Sequence, residues 1–135
     1  LAAARALAFA WDAQLCGYPT LALVAAMARE QRGAQPVCAA TTGGHGEWFV
    51  QAFDSAGASI APLASLPPET AAQAAEALIA GSQAEALVVR RGCGEALAIW
   101  PDARAFTLLD AGALTDDVAP LYGRAPDARL PATAA

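Results

Sequence analysis

Residues 36–54, PVCAATT-GGHG-EWFVQAFD, decide the fold. In EWFVQAFD the side chains of Trp48, Val50 and Ala52 alternate with those of Phe49, Gln51 and Phe53, a period of two that predicts a strand. Large apolar groups fall on both sides of it, so the strand belongs inside a sheet and not at its edge. PVCAATT reads as the strand before it, with GGHG as the connecting turn. Ser55–Gly57 is predicted as a second tight turn and ASIAPL (58–63) as a third strand, which together make an antiparallel meander.

Toward the C-terminus, LPPETAAQAAEALIAGS (66–82) is predicted as a helix. Its prolines occupy the first turn, Glu69 lies at the favourable end of the dipole, Leu78 joins Ala71, Ala74 and Ala75 on an apolar face, and Gly81 closes it. EALVVR (85–90) follows as a buried strand, giving strand, strand, strand, helix, strand from residue 36. GCGEALAIWPDA (92–103) reads as a glycine turn and a short helical stretch, and AFTLL (105–109) as a last strand. The tail from Asp116 is expected to be extended, packed by Leu121 and Tyr122 and fraying after Leu130.

Toward the N-terminus, residues 1–14 read as a helix. Leu7 and Trp11 lie four apart, and Ala3, Ala6 and Ala10 fall near them on the wheel. The helix is apolar nearly all round, the pattern of one buried on more than one side, and Gly17 and Pro19 terminate it. Thr20–Leu23 is predicted as a short strand and VAAMAREQR (24–32) as a helix, with Val24 and Met27 inward and Arg29, Glu30 and Arg32 in water. A junction at 33–36 divides the chain into 1–35 and 36–135. If 1–14 and 23–32 pack as an antiparallel pair, their alanine-rich outer face suits either another protein's helices or upstream sequence of the same molecule. The helical pattern starts at Leu1 without a signal-peptide tip, and the expectation is a chain that begins inside a larger protein.

Composition narrows the function. A length of 135 residues fits one domain, and 56% hydrophobic residues support a core, although 39 alanines bury little area each. All eight basic residues are arginine, against thirteen acidic ones, for a net charge of −5. No basic cluster forms a nucleic-acid footprint, and no run is long and apolar enough to span a bilayer. Cys16, Cys38 and Cys93 are an odd number without C-x-x-C spacing, which disfavours a disulfide scaffold and makes the cytoplasm the default compartment. The single histidine, His45, gives no metal-site spacing.

Candidate chemistry is sparse. His45 and Glu47 share one hairpin turn, where an acid/base pair has no pocket. Cys93 stands in RRGCGE beside Arg90 and Arg91, but a nucleophile needs a base and only His45 is available. Glycine N–H groups next to two arginines could meet an anion, though the run lacks phosphate-loop spacing. Asp116 and Asp117 are adjacent and point apart in extended chain. Trp11, Trp48 and Trp100 are scattered, which favours core or interface burial over base stacking. No catalytic constellation emerges.

LAAARALAFAW, GYPTLALVAAMA, GEWFVQAFD and PLYGRAPDARLP, in that order, resemble the TsaB family, the bacterial partner proteins of threonylcarbamoyladenosine synthesis on tRNA. An older label for them is glycoprotease-like or M22 peptidase-like. The resemblance covers nearly the whole chain, its most specific pieces being the first helix and the P-L-Y-x-R-A-P-D-A-R tail. It implies an α/β fold of the actin-like, RNase H-like ATPase type, with 1–35 as the end of a first lobe and 36–135 as the second. The family's first sheet and its G-P-G-S-F-T-G-x-R stretch would then be missing. It also implies a non-catalytic scaffold pairing with the catalytic TsaD-type protein and working with the TsaE-type ATPase, with ATP used by those partners and no cofactor assigned to this chain. Ala3, Leu7, Ala10, Trp11, Val24 and Met27 would form the partner interface, a surface that supports homodimers in some members. The first hairpin turn departs from the family's Asp-Ala-Arg, reading Thr41–His45, and 109–121 looks short of a final helix. The competing expectations are an M22-like hydrolase using Cys93 or His45, and a nucleotide-binding ATPase-like protein.

Overall fold

Val37–Thr42 forms β1 and Trp48–Phe53 forms β2, antiparallel, with Val37 opposite Phe53 and Thr42 opposite Trp48. The protein is described by a computed structural model at residues 1–74, 76–121 and 123. β1 lies at the centre of a five-stranded sheet. β3 (Ala64–Leu66) pairs antiparallel with the free side of β2, while β4 (Leu78–Ala80) and β5 (Glu95–Leu97) continue the sheet in parallel beyond β1. The order is β3-β2-β1-β4-β5. Helices α1 (Ala2–Trp11), α2 (Thr20–Arg32), α3 (Pro68–Ala71) and α4 (Ala84–Arg91) surround it, and 3-10 turns follow at Ala103–Leu108 and Ala111–Ala113. This mixed sheet with helices on both faces is the actin-like, RNase H-like arrangement expected from the sequence.

Strand alternation sorts the core into two layers. Val37, Ala39, Phe53, Leu78, Ala80 and Leu97 face α2, which answers with Leu21, Val24, Ala25 and Ala28. Cys38, Ala40, Trp48, Val50 and Ile79 face the other way, onto Ala71 of α3 and Ala84 and Leu87 of α4. Among the described residues no polar or charged residue is buried, and eight of the twenty buried residues are alanine, which lets helix backbones lie close to the sheet. Arg32 at the end of α2 pairs with Glu95 at the start of β5. Gly81 turns the chain from β4 into α4 at φ +122, where a Cβ would collide with the Ala40 carbonyl oxygen, so only glycine fits.

Several elements differ from the sequence reading. Thr20–Leu23 is not a strand; α2 runs unbroken from Thr20, with Pro19 before its first turn and Leu21, Val24, Ala25 and Ala28 as one helical stripe. The meander is present, but its third strand is Ala64–Leu66 and not 58–63. Residues 58–63 only brush β2, through a Ser59–Phe53 bridge and hydrogen bonds from the Gln51 amide to Ser59 and Ala61. The helix expected over 66–82 stops at Ala71, and Leu78–Ala80 is instead a fully buried parallel strand. EALVVR is helical, part of α4, which Gly92 ends in the left-handed conformation. Residues 95–97 are a strand, not a helical stretch, and AFTLL lies largely in the first 3-10 turn. Asp102 caps that turn, accepting from the Arg104 backbone N–H at 2.9 Å and its guanidinium at 2.6 Å, and these bonds hold its carboxyl near a pKa of about 2. Leu121 is exposed, whereas Tyr122 and the expected fraying after Leu130 lie outside the described residues.

Candidate partner interface

Helix α1 contains no buried residue. Eight of its ten residues are strong helix formers, and Asp12 ends it in the left-handed conformation, ahead of the expected Gly17. The antiparallel pairing with α2 that the sequence left open is not formed among the described residues. The attachment of α1 runs instead to the segment after the second 3-10 turn. The Arg5 guanidinium donates to the Val118 carbonyl at 2.7 Å, and Gly17 and Thr115 exchange backbone hydrogen bonds of 2.8 and 2.9 Å. Asp116 completes the clasp, accepting from the Gln14 amide at 2.9 Å and the Cys16 thiol at 3.4 Å; the Asp116 carboxylate raises the Cys16 pKa.

With Arg5 and half-buried Ala8 turned toward that clasp, the other sides of α1 meet water. Leu7 is 47%, Trp11 71% and Phe9 91% exposed. Leu7 and Trp11 share a flank with Ala3 and Ala10, all four exposed, while Phe9 projects from the opposite flank and escaped the sequence reading. The other two interface candidates are placed differently. Val24 is fully buried among β1 and β4 residues, so its side chain serves the core, and Met27 is half-buried. Beside the clasp, a cleft of about 450 Å³ opens between Tyr18, Leu21, Phe49, Leu63 and Val118.

The residues with chemical potential do not converge. β5 runs parallel to β4 and β4 to β1, with Val37, Leu78 and Glu95 at one level. Cys93 precedes β5 and His45 follows β1, so they stand at opposite ends of the sheet, a six-residue strand of about 20 Å apart. That separation rules out a Cys93–His45 nucleophile–base pair. At the glycines next to two arginines, both cations already have partners within the chain. Arg90 pairs with Glu69 at 2.7 Å. Arg91 donates to the carbonyls of Ala74, Glu76 and Cys93. In the first hairpin turn His45 is exposed at φ +57, and the Glu47 carboxylate accepts from the Ser65 hydroxyl at 2.6 Å. Trp48 is core, whereas Trp100 is 65% exposed. Among the described residues no group of three metal-ligating side chains gathers, and no helix is long and apolar enough to cross a membrane.

Helix α1, exposed and apolar, is thus held to the rest of the chain by the clasp at Thr115–Val118. Comparison with solved structures agrees on the fold. YeaZ from Pseudomonas aeruginosa superposes with a TM-score of 0.63 at 23% identity, over 79% of this chain and 54% of its own. An uncharacterized protein with similarity to peptidase YeaZ from Pseudomonas aeruginosa superposes with a TM-score of 0.69 at 25% identity, over 91% of this chain and 65% of its own. The chain thus spans less than two thirds of the length of either protein. No protein-family profile and no curated protein sequence matches it.

Proposed function

We propose that the chain is TsaB-like, a non-catalytic subunit of the cytoplasmic complex that forms N6-threonylcarbamoyladenosine on tRNA. It would dock and activate a TsaD-type catalytic protein, alongside a TsaE-type ATPase. The YeaZ-like fold supports this reading, YeaZ being a TsaB-type protein, and the exposed flank of α1 carries it. A helix with Leu7 and Trp11 in water gains apolar burial only by meeting another surface, and alanines at Ala3 and Ala10 permit a close approach. The net charge of −5 leaves the grip on tRNA to the partner.

Pull-down of a TsaD-type protein by the full chain tests the assignment. Leu7→Glu and Trp11→Glu each place a charge on the docking flank and are expected to weaken capture by about tenfold or more. Circular dichroism should show both variants folded, since neither side chain is buried. Unchanged capture by both variants sinks the interface. The hydrolase alternative takes its support from the structural neighbour that is similar to peptidase YeaZ. Hydrolysis of a defined peptide, lost in a Cys93→Ala, His45→Ala double variant, would reinstate it.

A further inference from the structure

We propose that the cleft between α2, the β2–β3 turn and the 3-10 turns binds a small monocarboxylate with a compact apolar body, its carboxylate received by Arg29. The cleft measures about 690 Å³, within the usual range for small-molecule sites. Ala22, Ala25 and Ala26 of α2 form one wall, and Phe53, Leu109 and Leu114 face them. Such walls favour an apolar body by the area removed from water.

Arg29 is the unusual group here. It lies in the last turn of α2 and lines the cleft, and its guanidinium rests against Gly57 so closely that a Cβ there would overlap Nη1. Gly57 holds φ +94, so the turn both needs glycine and makes room for the cation. The Arg29 Nε is buried without a hydrogen-bond partner, and among the described residues no carboxylate reaches the guanidinium. Arg5, Arg32, Arg90, Arg91 and Arg104 all have acceptors. A half-buried guanidinium that lines the cleft without a carboxylate partner gains from a planar anion received by the part of it that faces the cleft, which describes a carboxylate.

The other polar groups of the cleft are engaged within the protein, with only the Thr115 O–H left to donate. The Gln51 amide is occupied by Ser59 and Ala61, the Ser59 hydroxyl donates to the Ala61 carbonyl, and the Thr115 hydroxyl accepts from the Asp117 backbone N–H. Asp110 also lines the cleft and Glu30 borders a smaller recess beside Arg29. Their negative charge disfavours a polyanion such as a diphosphate and admits a single carboxylate seated on Arg29. This site adjoins the α1 clasp at Thr115 and includes none of the residues on the α1 docking flank.

NMR of the full chain with 3-phenylpropanoate, its neutral amide 3-phenylpropanamide, and inorganic phosphate tests the proposal. The acid should shift the amide signals of Ala25, Ala26, Gly57 and Gly112, and the neutral amide should bind about tenfold more weakly, as expected for loss of a charge-assisted pair. Phosphate should leave those signals in place. Arg29→Gln should reduce the acid to the affinity of the amide, and Gly57→Ala, which displaces the guanidinium, should do the same. The acid–amide comparison on the unaltered chain decides the matter even if a variant fails to fold. Equal affinities of acid and amide overturn the proposal, as do stronger shifts with phosphate, or no shift with the acid at about 10 mM.

Discussion

Cys38, the second residue of the central strand, has no exposed surface and packs toward Ala71, Ala84 and Leu87. Burial pushes its thiol from 9.0 up to about 12, with Glu76 adding in the same direction and Arg91 opposing. In the unfolded chain the thiol ionises near 9.0, so between that pH and about 12 the unfolded state has released a proton that the native state retains. The contribution to stability is therefore complete below pH 9.0 and is lost as pH rises toward about 12. Urea unfolding at pH 8 to 11 should show the unaltered protein losing stability faster than Cys38→Ala, by up to about 1.4 kcal/mol per pH unit. Parallel pH profiles would mean that the thiol is not buried as described. Nothing in the cysteine spacing distinguishes Cys38 from Cys16 or Cys93, because what isolates it is the pairing of β1 with β4, forty residues away in sequence. The same holds for Arg29, which the sequence reading puts in water and the structure half-buries with its guanidinium against Gly57.

The elements read correctly are those whose pattern is settled locally. β1, β2 and the glycine turn between them show a period of two over a hairpin, and the local signal and the final burial agree. The misread elements are those in which distant contacts choose between two local options. The alanine-rich run before Leu78 has high helix propensity, yet Leu78–Ala80 fills a slot between β1 and β5, and burial on both faces outweighs propensity. Once that strand is taken, Ala84–Arg91 must cross over between two parallel strands, and a helix is the usual connection. In α4, Ala84, Leu87 and Val88 face the sheet while Val89 is 81% exposed, a division that a strand buried on both faces does not make. Leu87→Ala should cost about 3 kcal/mol in urea unfolding. Val89→Glu should change stability by no more than about 0.5 kcal/mol. A large loss in Val89→Glu would restore the strand.

At the scale of the molecule, the sheet with α2 on one face and α3 and α4 on the other holds the buried hydrophobic contacts, and the α1 attachment is made by polar ones. The sequence shows that α1 is apolar on too many sides for a solvated helix, but it does not show that α2 turns its stripe onto the sheet and leaves α1 unpacked among the described residues. An isolated ten-residue helix is marginal in water, so this one draws its order from the clasp at Thr115–Val118 or from a partner. Local stability should follow that division. In hydrogen exchange on the full chain, the α1 amides should be at least about a hundredfold less protected than those of α2, because opening α1 exposes no core. With a TsaD-type protein bound, exchange in α1 should slow while α4, on the far face of the sheet from α2, stays unchanged. Protection of α1 equal to that of α2 in the chain alone would show that a second copy of the chain already covers the helix, or that it packs more deeply than its exposure indicates. Sedimentation at two concentrations separates those outcomes, since only self-association changes with concentration.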